Sequence, residues 1–202
     1  IYFYIIYIYM EEFISFFVII LITISVMNII KQNKDIIYVK SKTDGRKYLV
    51  RKLPDAQEAA EKLAELNKRV KKVIEKALTN KDHPTIERLH RYNPDTLSET
   101  IPGSKYTSYS VNKGESIAIC LRHKDNSFMN WNTIIFVTLH EVAHVLTIEE
   151  QHPPIFWKNM KFLLEQAEEI GLYVPIDYSK DPEEYCGMEI TSSPYDFKKK
   201  EN

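Results

Sequence analysis

"TLHEVAHVLTIEEQHPP", residues 138–154, is the stretch on which the reading of this chain turns. It holds three of the six histidines, and two of them, His140 and His144, bracket Glu141 in an HExxH pattern. On a helix, positions i and i+4 share a face, so both imidazoles can meet one cation. Glu141 lies beside His140 on the same turn and can reach a metal-bound water without being a ligand. Zinc lowers the pKa of such a water, and a carboxylate can take its proton.

A catalytic zinc usually has three protein ligands and one open position. His152 follows His144 by eight positions; on a continued straight helix it would lie about 12 Å further along the axis, out of reach. It can bind only if the chain turns back first. Pro153 restricts His152 to extended geometry, and Pro154 suits the first turn of a new helix. Glu149 and Glu150 are the rival third ligands. Oxyanion support in such a site often comes from Tyr, His or Arg. The candidates are Tyr185, favoured slightly over Tyr109, then Arg122 and His123. His83 and His90 have no partners at ligand spacing.

Working outward, "WNTIIFVTL" supplies an apolar face for a helix starting near Asn132 or Thr133. "PIFWKNMKFLLEQAEEI", residues 154–170, reads as a second helix, with Gly171 as its C-terminal cap. Phe156 and Trp157 are expected to pack it on the first. Upstream, "SIAICLR", Ser116–Arg122, is β-branched and apolar and reads as a strand. "IIYVKSKTDGRKYLVRKL", residues 36–53, has two β-rich runs flanking Asp44-Gly45, a tight hairpin signal. Pro54-Asp55 then opens an amphipathic helix of roughly six turns, with Ala59, Leu63, Leu66, Val70, Val73 and Leu78 at helical spacing. A short helix is expected around Thr85–Tyr92. The order predicts an α+β domain.

Residues 13–30, "FISFFVIILITISVMNII", carry no charge. Eighteen helical residues rise about 27 Å, near the ~30 Å hydrocarbon core. Glu11 and Glu12 precede the run; Lys31, Lys34, Lys40 and Lys42 follow it. The positive-inside rule then predicts a single transmembrane helix with the C-terminal domain on the cytoplasmic side of the membrane. The expected organisation is an N-terminal extension over 1–12, the transmembrane helix over 13–30, the domain over 31–197 and a charged tail over 198–202. Residues 1–9 use three residue types with AT-rich codons, which suggests Met10 as the natural start.

The chain has 202 residues and a net charge of -1, so no global basic field points to nucleic acid. Cys120 and Cys186 are too few for a disulfide framework and form no CxxC pair, so two free thiols in a reducing compartment are expected.

The segment "CLR…NWNTIIFVTLHEVAHVLTIEEQHPPIFWKNM" resembles the WLM and SprT-like zincin metallopeptidases. There, a strand ending in Leu-Arg precedes an HExxH helix. A third histidine follows a loop and leads into a helix that begins with an aromatic pair, matched here by Phe156-Trp157. The resemblance implies a zincin-like domain, a small antiparallel sheet plus helices with HExxH on a central helix. It implies Zn2+ held by His140, His144 and His152, Glu141 as general base, a protein or peptide substrate, and strand Ser116–Arg122 as the cleft edge. The loop from His144 to His152 is longer than the usual pattern and lacks its turn glycine. With the AT-rich bias, the resemblance suggests a version of the fold found in large DNA viruses.

The function expected is therefore a membrane-anchored zinc metallopeptidase. The competing reading is a non-catalytic zinc module at a membrane, closed by a fourth ligand such as Cys186 or Glu149. A third reading, a protease acting on DNA-bound proteins, finds no clustered basic patch to match.

Overall fold

The computed structural model describes residues 13–27, 35–101, 104 and 106–197. Helix α1 covers residues 13–27. The domain then runs β1 (Ile36–Lys40), β2 (Lys47–Arg51), α2 (Ala56–Ala77), a 3-10 turn (Ile86–Arg91), β3 (Leu97–Glu99), β4 (Tyr109–Val111), β5 (Ser116–Ile119), α3 (Trp131–Leu146), α4 (Pro154–Glu169), β6 (Glu183–Tyr185) and β7 (Met188–Ile190). This is an α+β architecture.

Residues 13–27 of the expected membrane-spanning segment are helical. Among the described residues no helix is long and apolar enough to cross a membrane. Residues 28–30 of the proposed span, the extension over 1–12 with its Met10 start, and the tail over 198–202 lie outside the described residues.

The sheet is mixed rather than antiparallel. Strand β5 is central, parallel to β3 and antiparallel to β4, with Tyr109 opposite Ala118 and Val111 opposite Ser116. The cleft-edge strand is therefore β4 and not Ser116–Arg122: β5 spends both of its edges on neighbours. The hairpin β1–β2 forms, but Lys40 pairs with Lys47, so its connection spans residues 41–46 and is not a two-residue turn. Glu61 on α2 holds that connection, accepting from the hydroxyls of Ser41 and Thr43 and from the Lys42 N–H.

Helix α2 buries Leu63, Leu66, Val70 and Val73 completely. Asp55 stands at its N-cap position yet makes no side-chain capping bond. Its carboxylate instead accepts from Arg122 Nη1 at 2.6 Å. Helix α3 is capped by Asn130, whose side chain accepts from the Thr133 N–H. Helix α4 ends as expected at Gly171, at φ +70. Leu172 N–H donates to Ala167 O at 2.8 Å and Gly171 N–H to Glu168 O at 3.0 Å, a Schellman closure.

The two cysteines are not free. Cys120 and Cys186 form a disulfide with a Cα–Cα distance of 6.3 Å across 66 residues of sequence. It joins the end of β5 to the β6–β7 hairpin.

The turn from β4 to β5 packs directly on α3. Gly114 has φ +105, and a Cβ there would lie 2.9 Å from Val145 Cγ2 and 3.2 Å from Arg91 O. Gly114→Ala combines a left-handed backbone with overpacking and should cost about 2–4 kcal/mol. The check is the urea midpoint at unchanged m-value; a shift below about 0.5 kcal/mol, the range of ordinary surface substitutions, would refute this account.

Candidate metal centre

Helix α3 is apolar on most of its circumference: Ile134, Ile135, Leu139, Val142, Ala143 and Leu146 have no solvent exposure. That burial fixes its rotation and leaves His140 and His144, one turn apart, facing a cleft. The chain leaves α3 at Thr147, which is extended (φ -91, ψ 126). It reverses through Gln151 at φ +62. Pro153 is again extended, and Pro154 opens α4. Gln151 thus supplies the left-handed turn that a glycine would ordinarily make.

The reversal brings His152 back to the helix. Its Nε2 lies 3.1 Å from His140 Nε2 and 3.2 Å from His144 Nε2. The ligand atoms of the three all fall within 4.8 Å of one another. Three nitrogens bound tetrahedrally at about 2.05 Å would stand about 3.3 Å apart. Three ring nitrogens cannot satisfy each other by hydrogen bonds, since a neutral imidazole nitrogen either donates or accepts. A cation among them resolves that convergence, so these residues fit a zinc-type site. Burial, then neighbouring imidazole charge, pushes His140 down to about 3 and His144 down to about 4. His152 is lowered by burial too. The neutral form, which ligates, is therefore the resting form.

Phe156, fully buried, forms the floor of the cluster. Its ring centroid lies 4.8, 4.5 and 4.5 Å from those of His140, His144 and His152. Trp157 packs beside His152 at 5.7 Å. The aromatic pair orients the imidazoles as well as joining the helices, a role invisible without the tertiary contact.

Glu141 is buried at 5% exposure and lines the same cleft, of about 440 Å³, with Tyr109 and Ser110 of β4 on the facing wall. Burial pushes its carboxyl up to about 8. A dication at the histidines would oppose that shift and favour the carboxylate.

The other sequence-predicted residues stand outside the histidine cluster, although Glu150 also lines the cleft. Tyr185 is buried behind the cleft wall, bonded to the Ser108 hydroxyl and accepting from Cys120 N–H at 3.0 Å. Arg122 is buried and paired with Glu99 at 2.7 Å and Asp55 at 2.6 Å. His123 Nδ1 lies 3.0 Å from Glu184. Glu150 is paired with Lys113 at 3.3 Å, and Glu149 offers its carbonyl to the same ammonium. Cys186 is held in the disulfide. His83 stacks on Phe162, and His90 faces Glu87.

Residues 42–200 match the family described as WLM domain. An uncharacterized protein of Acanthamoeba polyphaga mimivirus is 38% identical over 167 residues, covering 79% of this chain and 85% of the relative. An uncharacterized protein of Invertebrate iridescent virus 6 is 42% identical over 69 residues, 33% of this chain and 38% of that one. Among solved structures, Wss1 from Saccharomyces cerevisiae aligns at 27% identity and a TM-score of 0.33, over 38% of this chain and 62% of that one, less than two thirds of its length. A mutant of the same protein aligns at 21% identity and 0.45, over 61% and 92%. With a family match that spans most of the domain and a relative matched along most of its length, the chain belongs to the WLM domain family.

Proposed function

We propose that this protein is a zinc-dependent metallopeptidase, with His140, His144 and His152 as ligands and Glu141 as general base. The observation that carries the reading is the convergence of three histidine Nε2 atoms beside a buried glutamate in an open cleft. Bound zinc would supply Lewis acidity at the peptide carbonyl and a more acidic water. Glu141 accepts the proton of the attacking water and passes it to the leaving amine. Among the described residues no strand pairs with the outer edge of β4. An extended peptide can add there as a further strand, passing Tyr109 and Ser110 on the cleft wall. Of the two tyrosines weighed for the oxyanion, Tyr109 faces the cleft, whereas Tyr185 anchors Ser108 from behind.

The rival reading, a closed structural zinc site, needs a fourth protein ligand. Cys186 is tied to Cys120, and among the described residues the cluster contains only the three histidines.

Zinc content per chain, measured beside His152→Ala, tests the assignment. The parent should hold about one zinc, as a three-histidine site does. The variant should bind it at least about a hundredfold more weakly, beyond the ~10–100-fold of second-shell losses. Chelation should abolish casein hydrolysis, and added zinc should restore it. Undiminished affinity in His152→Ala would remove His152 from the ligand set.

A further inference from the structure

His152 is carried by an exposed stretch, residues 148–152, that has no helix or strand of its own. Its imidazole must nevertheless stay within about 3 Å of two others to share a metal. Something must hold the loop. We propose that Lys113, in the turn between β4 and β5, is the positioning residue that locks this loop and thereby presents His152 to the metal. The proposal rests on the zinc reading above.

The geometry is specific. Lys113 Nζ donates to the carbonyls of Thr147 at 3.2 Å, Ile148 at 3.2 Å and Glu149 at 2.6 Å. An ammonium has three N–H donors, and three successive carbonyls match them. The Glu150 carboxylate adds an ion pair at 3.3 Å. The Lys113 side chain is only 17% exposed, against 86% for Glu150. The charge therefore sits inside the loop, where water screens it less than it would a surface pair. It also lies at the C-terminal end of α3, where helix carbonyls favour a cation.

The post to which the loop is tied is itself rigid. Asn112, Lys113 and Gly114 all have positive φ, at 46, 55 and 105. Such a run persists only where surrounding contacts over-determine it. Arg91 Nη2 donates to Asn112 O at 3.1 Å, Asn93 N–H to Gly114 O at 3.2 Å, and Gly114 N–H to Ser110 Oγ at 3.1 Å. Gly114 abuts Val145 of α3. The turn is thus pinned to the helix that carries His140 and His144, and Lys113 carries that registration across to the loop bearing His152. The absent turn glycine fits this arrangement: the reversal at Gln151 is imposed by contacts from outside the loop.

The test uses the full chain with Lys113→Met, Lys113→Arg and Lys113→Asn. Asn tolerates the left-handed backbone but is too short to reach the carbonyls, so it keeps the turn and removes the clamp. Zinc affinity, read by chelator competition, should fall about tenfold in Lys113→Met and Lys113→Asn, with most of it recovered in Lys113→Arg. In a His152→Ala background, Lys113→Met should cause no further loss, because the lysine acts through that histidine. An equal loss in both backgrounds, or none in the wild-type background, overturns the proposal. A second readout needs no metal. In zinc-free protein, a Glu-specific endoproteinase should cut after Glu149 and Glu150 several-fold faster in Lys113→Met and Lys113→Asn than in the parent, with parental thermal midpoints. Unchanged cutting refutes the clamp whether or not the parent binds zinc, whereas a parent without zinc refutes the metallopeptidase reading alone.

Discussion

Glu141→Gln should keep a full complement of zinc while lowering peptide hydrolysis by about 10³-fold, the middle of the usual range for loss of a general base. The amide has the shape of the carboxylate but cannot take a proton from the attacking water. The histidines are untouched, since Glu141 is a neighbour of the cluster and not a member of it. Zinc-free stability should hold or rise, because the carboxyl is buried and burial penalises its charged form. The measurement is turnover and zinc stoichiometry on the same preparation, with thermal unfolding beside them. Retained turnover would end the general-base assignment. Lost zinc would make Glu141 part of the ligand set.

Arg122→Met should destabilise the fold by about 3–5 kcal/mol, the typical result of removing one partner from a buried ion pair. Arg122 is 1% exposed and its guanidinium lies between Glu99, itself 2% exposed, and Asp55. Its Cζ also stacks 4.1 Å from the Phe128 ring centroid. Methionine keeps much of that packing but strands the Glu99 carboxylate, whose remaining donor is the Arg51 N–H at 2.8 Å. The hydrogen bond from Arg122 holds Asp55 below the usual carboxylate range. The stability it contributes is therefore present above the unfolded pKa of about 3.9 and disappears as pH falls through the lowered folded value. That contribution is lost in the variant at neutral pH and absent from both proteins in acid, so the cost of Arg122→Met shrinks as pH falls. Denaturant midpoints at neutral and acidic pH, with Glu99→Gln added to the variant, check this. The double variant should recover part of the loss; a constant penalty at every pH, unrelieved by Glu99→Gln, would refute the stranded-charge account.

Arg122 also shows where residue type alone misleads. An arginine next to a cleft strand is a reasonable oxyanion donor, and nothing in "CLRH" distinguishes that role from a buried strut. The decision comes from Asp55, 67 residues away, which gives its carboxylate to Arg122 rather than capping α2. Tyr185 follows the same logic. Its hydroxyl is spent on Ser108 and the Cys120 amide, a network assembled from three separate segments.

What the sequence determined by itself is what depends on short range. The periodicities placed the long amphipathic helix, the helix that carries the motif and the helix that follows it, because burial of one face repeats every turn. The i, i+4 spacing placed His140 and His144 on one face of α3, with Glu141 beside His140 on the same turn, because helix geometry converts four residues into about one turn. The proline pair after His152 already required a break in the chain. Only the tertiary structure decided the rest. Whether His152, Glu149 or Glu150 joins the two histidines depends on the reversal at Gln151, which Lys113 clamps from another hairpin. The pairing of Cys120 with Cys186 spans 66 residues, and the edge position of β4 follows from which strands flank β5. An apolar run of eighteen residues reads as a membrane span, and among the described residues, which include 13–27 of it, no helix is long and apolar enough to cross a membrane. Local spacing sets which side chains share a face; which faces meet depends on closing long loops, and that is settled only when the core packs.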